Sequence, residues 1–269
     1  GVYLKSCVTV DSPNYLILYL DLSQAHSGTF DITFVNGEKK FVYAYELKER
    51  KESTDDIQGY DSSDVLYLIM PDRFANGDQS NDQISMSTEY VMDRSKPGAR
   101  HGGDLKGIED HLDYFVDLGV TAIWLNPVLE NDGKGGSYHG YFSTDMFHVD
   151  RRLGSNEDYL RLINKAHQKG LRVVMDMIFN HIGANHPWVL DVPSKDWFNV
   201  SPSKRGNHAK AIFYDNYAST YDSEVMKYAG FGIDLNQANP HVGKYLIQNS
   251  IWWIEYARID AIIEYLKIQ

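Results

Sequence analysis

Leu171-Arg-Val-Val-Met-Asp176-Met-Ile-Phe-Asn180-His181 decides the fold. A short apolar run, rich in β-branched residues and preceded by Gly170, ends in a carboxylate, an amide and an imidazole. That is a buried strand with chemistry at its C-terminal end. Working outward, Ser155 followed by Asp158 is a capping box, and Tyr159, Leu160, Ile163 and Ala166 form the apolar face of a helix that stops at Gly170. Further upstream Val65 to Met70 is a strand ending at Pro71. Ile108, Leu112 and Phe115 then give a helix stopped by Gly119, and Val120 to Leu125 is the next strand. Downstream, Asn239 and Pro240 cap a helix running to about Ala257, and Ile259 opens a fourth strand. Strand, helix, strand at this cadence predicts parallel βαβ units.

Two architectures have this cadence. No Gly-x-Gly-x-x-Gly follows any strand, which removes support for a dinucleotide-binding doubly wound sheet. Polar and aromatic residues gather instead just after the strand C-termini (Asp72, Tyr141, Asp145, Asp176, Asn180, His181), where a (β/α)8 barrel places its active site. The expected fold is therefore α/β: the N-terminal half of a TIM barrel over residues 65–269, four strands of eight, with 182–238 as an inserted domain. Before it, Phe30, Ile32 and Phe34 alternate with polar residues, and Phe41, Tyr43, Tyr45 and Leu47 share a second face, with Asn36-Gly37 between the two runs. Period-2 patterning with a hairpin turn predicts half-buried sheet, so residues 1–47 are read as part of a β-sandwich. Residues 48–64 carry nine charges and few large apolar groups, and are read as a linker.

The 269 residues are 43% hydrophobic, enough for a real core. Twenty-six Lys and Arg against 37 Asp and Glu leave a net charge of −11, which argues against nucleic acid or an anionic membrane as the main partner. One cysteine, Cys7, rules out an internal disulfide framework and thiolate metal clusters. No apolar run reaches the length of a bilayer span. The chain opens on Gly1, so the sequence gives no leader from which to read a compartment.

At the end of the third strand Asp176 and Asn180 can point into one pocket, although a buried ion pair and a loop cap would need the same residue types. Tyr141 offers an aromatic face suited to the C–H face of a sugar, or to ordinary packing. Trp188, Trp197 and Phe198 could line a cleft or fill the inserted domain's own core, and Trp252-Trp253 inside a helix reads as packing. Asn76, Asp78, Asn81 and Asp82, with Asp104 returning after His101-Gly102-Gly103, concentrate oxygen donors. This suits either Ca²⁺, which takes six to eight hard oxygen ligands, or a solvated turn.

Together these segments resemble the α-amylase superfamily, glycoside hydrolase family 13, in its neopullulanase and cyclomaltodextrinase branch. Asp176 to His181 is similar to the family's D-x-x-x-N-H segment, and Gly140 to Asp145 to its G-Y-x-x-x-D segment. Gly232-Ile-Asp234-Leu-Asn236 resembles the motif closing domain B, and Val65 to Phe74 the first strand. The resemblance implies retaining hydrolysis of α-1,4 glucan bonds by an aspartate nucleophile on strand four and a glutamate acid on strand five, two carboxylates about 5 to 5.5 Å apart. It also implies that Tyr141 stacks on the sugar, that His139 and His181 bond its hydroxyls, and that Asp176 holds the arginine flanking the nucleophile. The loop resembles the calcium site of cyclodextrin glucanotransferases and some neopullulanases, implying Asn76, Asp78, Asn81, Asp82, the Gly102 carbonyl and Asp104 as Ca²⁺ ligands. Association into homo-oligomers and a periplasmic or secreted setting are further expectations from resemblance.

Strand four departs from the family pattern I-D-G-x-R-x-D, because this chain reads Ile259-Asp260-Ala261-Ile262-Ile263-Glu264-Tyr265. The arginine position falls on Ile263 and the nucleophile position on Tyr265, while Glu264 should face the opposite side of the strand. No catalytic residue is therefore assigned, and the expectation is a chain without turnover. The alternative is a non-catalytic, calcium-stabilised glucan-binding protein. Arg258 stands where the two earlier helices have a stop glycine, a place that calls for a left-handed backbone.

Overall fold

The computed structural model describes residues 1–49, 57, 59–84, 92–133, 136–199 and 232–264. The chain divides into two compact units, residues 1–56 and 57–269.

In the first unit β1 (Tyr3–Thr9) pairs antiparallel with β2 (Leu16–Asp21), and β3 (Gly28–Asn36) with β4 (Lys39–Leu47). The second pair is the expected hairpin. Phe30 faces Tyr45, Ile32 faces Tyr43 and Phe34 faces Phe41, and Gly37 takes φ 60° in the turn. The four strands form two separate two-stranded sheets. Leu4, Leu16, Leu18 and Leu20 from one, and Phe30, Ile32 and Phe34 from the other, line an open cleft of about 630 Å³. No described residue of this unit is fully buried, because two-stranded ribbons have too few neighbours to enclose their own faces.

In the second unit β5 (Leu66–Ile69), β6 (Ala122–Leu125), β7 (Arg172–Met177) and β10 (Ala261–Glu264) form one parallel sheet, laid side by side in chain order. Register puts Leu68 beside Trp124, Trp124 beside Val174, and Val174 beside Ala261. These residues share one face, and Leu68 on it is 53% exposed. The other face (Ile69, Ile123, Leu125, Val173, Met175) is buried under helices. This is the four-stranded parallel sheet of the first half of a barrel, its inner face buried at Ala122, Val174 and Asp176 and exposed at Leu68 on the edge strand.

The helices follow from their caps. In α4 (Asn156–Gln168) Ser155 and Asp158 bond each other's backbone, and the buried stripe is Tyr159, Leu162, Ile163 and Ala166. Leu162 rather than Leu160 faces inward, since Leu160 sits at the edge of the stripe. Gly119 and Gly170 stop their helices at φ 81° and 75°. The helix expected as one piece before β6 is two, α2 (Leu105–Asp110) and α3 (Leu112–Asp117), after the short α1 (Pro71–Phe74). It breaks at His111, whose Nδ1 lies 2.7 Å from the Gly107 carbonyl oxygen. α5 (Pro240–Ala257) begins at the Asn239 cap, and Trp253 within it is fully buried, donating to the Met146 carbonyl at 2.9 Å.

The stretch 48–64 read as a linker is not uniform. Asp64 is anchored in the second unit, accepting from Thr121 Oγ1 at 2.8 Å and pairing with Arg172. In the inserted region β8 (His181–Ile182) pairs antiparallel with β9 (Ile233–Asp234). Trp188, Trp197 and Phe198 are all buried, and Trp188 packs on Trp197 and on Tyr245 of α5. They fill a core rather than line a cleft. No described helix is long and apolar enough to cross a membrane.

Arg258 is the one non-glycine residue with positive φ among the described residues, at φ 56°, ψ 41°. The left-handed conformation costs an L-residue about 1–2 kcal/mol that glycine avoids. Arg258→Gly is therefore expected to stabilise the fold by about 1 kcal/mol, less whatever the arginine side chain contributes. A urea melt checks this, and an unchanged or lower midpoint would show that the side chain's contacts outweigh the backbone strain.

Candidate active site

Asp176 lies on the inner-face side of β7 with no solvent exposure. Its Oδ2 accepts from Tyr141 Oη at 2.7 Å and from Trp124 Nε1 at 3.3 Å, while Oδ1 has no hydrogen-bond partner. Burial pushes its pKa up to about 6, against the lowering effect of the two donors. Tyr141 can reach it because Gly140 takes φ 89°, where a β-carbon would fall 2.1 Å from the Pro127 carbonyl oxygen. Trp124 was not legible from sequence as a site residue. Its contact with Asp176 depends on how β6 and β7 pair.

The two histidines are placed differently. His139 Nδ1 accepts from the Tyr141 amide at 3.0 Å, and its ring lies 5.6 Å from that of Tyr141. His181 is 3% exposed. Its Nε2 lies 2.9 Å from the Tyr141 carbonyl oxygen, which fixes the proton on Nε2, and Nδ1 faces the Asn180 amide at 3.3 Å. Both ring nitrogens are thus engaged within the protein, and burial lowers the imidazole's pKa. The expected hydroxyl bond from His181 is not what this geometry presents: the ring holds the Tyr141 backbone in place. Gly232 lets β9 approach, since a β-carbon there would lie 2.5 Å from the His181 ring. Asp234, opposite His181 in the β8–β9 pair, is also raised to about 6 by burial, and accepts from Asn199 at 2.5 Å.

Ile263 pairs with Asp176 across the β10–β7 ladder, and Glu264 pairs with Met177 on the opposite face. Burial raises Glu264 to about 7. Tyr265 lies outside the described residues.

The oxygen-rich loop is held by Asp104. Its carboxylate caps α2 through the Gly107 amide at 2.6 Å and accepts from the amides of Gly77 and Asp78. No cationic side chain pairs with it among the described residues. Asn76 donates to Asp82 Oδ1 at 2.6 Å, and a β-carbon on Gly102 would fall 2.6 Å from that same oxygen, so these residues converge. Asn76 Oδ1 and Asn81 Oδ1 are buried without partners. Asp78 stands apart, being exposed and using Oδ1 to cap the turn at Ser80. Among the described residues no three Asp, Glu, His or Cys side chains group as a metal site, so a cation held by Asp82 and Asp104 would need the two amides and carbonyl oxygen as well.

A family model for the α-amylase catalytic domain matches residues 68–268, and one for the cyclomaltodextrinase N-terminal domain matches residues 1–51. The chain belongs to the α-amylase family, glycoside hydrolase family 13. Among α-amylase family relatives, an intracellular maltogenic amylase of Bacillus subtilis is 36% identical over 209 residues, covering 74% of this chain and 32% of its own length. Neopullulanase 2 of Thermoactinomyces vulgaris is 31% identical over 227 residues, covering 80% and 35%. The structure of an Anoxybacillus α-amylase superposes with a TM-score of 0.60 at 35% identity, over 80% of this chain and 41% of that one. The chain thus spans about a third of the length of these curated relatives. The first is intracellular by name, which runs against the periplasmic or secreted setting expected from resemblance.

Ionisation of Asp176 sets a pH dependence. Its pKa is raised in the folded state, so its charge opposes folding above the usual carboxylate value. That penalty is fully present at pH 7 and fades as pH falls through about 6 towards 4. Asp176→Asn, whose carbonyl can still accept from Tyr141, is expected to raise the urea midpoint at pH 7 and to lose that advantage by pH 4. Parallel midpoints for the two proteins across this range would contradict the burial argument.

Proposed function

We propose that the chain carries the sugar-binding half of an α-glucan hydrolase cleft. Tyr141 stacks on a glucosyl unit and His139 meets its hydroxyls, while His181 and Asp176 hold Tyr141 from the backbone and from the phenol. The observation that carries this reading is the Tyr141–Asp176 hydrogen bond at the C-terminal end of β7, where a barrel of this family opens to substrate. In the reaction so served, an aspartate nucleophile and a glutamate acid cleave an α-1,4 bond with retention.

At the arginine position this sequence has Ile263, beside Asp176, and at the nucleophile position Tyr265. Without a carboxylate there, no glycosyl intermediate forms, so these 269 residues bind α-glucan without cleaving it. The second reading, a glucan-binding protein that has no catalysis at any length, draws on the same two residues. The coding sequence beyond position 269 separates the two: an in-frame arginine-x-aspartate and a later glutamate support a hydrolase, and their absence a binder. A reducing-sugar assay on amylose, pullulan and cyclodextrin is expected to show no turnover above background. Calorimetry with maltohexaose is expected to show binding that falls at least about tenfold in Tyr141→Ala, the loss of one sugar-stacking ring. Turnover by the purified chain would reject the strand-four register.

We also propose that Asn76, Asn81, Asp82, Asp104 and the Gly102 carbonyl hold Ca²⁺, with Asp78, whose Oδ1 caps the turn at Ser80, the sixth residue the resemblance implies. Two orphaned amide oxygens and a buried carboxylate without a cationic partner support it. Bound Ca²⁺ would neutralise those carboxylates and tie residues 76–82 to 102–104. Added Ca²⁺ is expected to raise the melting temperature, with the increment lost in Asp82→Ala. An equal increment in wild type and variant removes the assignment.

A further inference from the structure

Arg73 sits in α1, immediately after the first barrel strand, and all of its polar atoms are committed. Nε donates to Asp72 at 2.8 Å, one terminal nitrogen donates to the carbonyls of Pro97 and Ala99 at 2.7 and 2.8 Å, and the other lies against the His101 ring. Asp72 itself is buried and accepts from the amides of His101 and Gly102. So far this describes an arginine tying down a loop. The guanidinium carbon, however, also lies 3.9 Å above the centre of the Tyr138 ring.

From Tyr138 a line of ring contacts leads into the cleft. Tyr138 meets His139 edge-on at 5.5 Å, and His139 lies 5.6 Å from Tyr141, whose hydroxyl bonds Asp176. The two backbone segments also touch: a β-carbon on Gly136 would come within 3.3 Å of the Gly98 carbonyl oxygen. Buried Arg100 reaches from the same loop to Ser137 and to Asp150. Segment 137–141 is therefore gripped from one side by two arginines and from the other by His181 and Asp176.

We propose that Arg73 is a positioning residue for the glucan platform, setting the His139 and Tyr141 rings through the face of Tyr138. The inference rests on the reading of Tyr141 and His139 as glucan contacts. Lysine at this position keeps the charge but cannot both cover the ring and reach two carbonyls, because it lacks the planar fork. If Arg73 only tethered its loop, Tyr138 would be incidental and its ring could be removed without consequence for ligand.

The test uses the 269-residue chain with Arg73→Lys, Tyr138→Phe and Tyr138→Leu, read by histidine-ring NMR without sugar and by maltohexaose calorimetry. Expected for Arg73→Lys is a displacement of the His139 ring resonances while those of His167, on α4, stay put. Affinity should fall about three- to tenfold, the worth of one partly exposed cation–π contact. Tyr138→Leu should reproduce both effects and Tyr138→Phe, which keeps the ring, neither. Should Arg73→Lys fail to fold, the Tyr138 pair carries the comparison. Unmoved His139 resonances, or moved resonances with affinity intact in all variants, overturn the inference. Moved resonances in the variants, together with a wild type that binds no maltohexaose, would instead uphold the positioning and reject the glucan reading.

Discussion

A carboxylate with no exposure and only two neutral donors governs the inner face of this half barrel. Hydrogen bonds from a phenol and an indole each contribute a few kcal/mol at most to an ionised acceptor, whereas desolvating the charge costs several. Asp176 therefore sits far above the usual carboxylate range, with one oxygen still unpartnered. The neighbour that register puts beside it is Ile263, a side chain with nothing to donate. Tyr141 is oriented by this group from one end and by the buried His181 ring from the other. The Tyr141 ring is therefore fixed by contacts within the protein.

Much of the fold was legible because local signals and global packing agree in it. The Ser155–Asp158 box, the Asn239-Pro240 cap, the Asn36-Gly37 turn and the alternation through β3 and β4 each fix a feature within a few residues of themselves. The left-handed place of Arg258 was readable for the same reason, by comparison with Gly119 and Gly170. What escaped the sequence is what depends on distant partners. The break at His111 answers to a side-chain bond back to Gly107. The anchoring of Asp64 answers to Thr121 and Arg172, over fifty residues away. A run of charges reads as a linker until one of its members finds a buried partner.

The site divides along the same line. Asp176, Tyr141 and His181 stand at or beyond the C-terminal ends of strands, a placement the strand pattern alone predicts, whereas His139 entered only through the family resemblance. Their roles do not follow from that placement. His181 looked like a donor to ligand, but its environment takes both ring nitrogens, and Trp124 entered only through the pairing of two strands. In the oxygen-rich loop, Asn76, Asn81, Asp82 and Asp104 converge as their spacing suggested. Asp78 instead spends an oxygen on a turn two residues away, a competition that Ser80 decides.

The Tyr141 ring and the fourth strand are held by different contacts. Tyr141 is set by loops: Gly140 permits its approach, His139 and His181 bond its backbone, and the Arg73–Tyr138 contact braces its neighbour. Strand four touches that arrangement at one place, the Ile263 position beside Asp176. Ile263 offers no donor to Asp176 Oδ1, while the Tyr141 hydroxyl is bonded to Oδ2. A change at position 263 can thus leave the Tyr141 ring in place, because the hydrogen bond that orients the ring runs to Asp176 on the third barrel strand and not through the fourth.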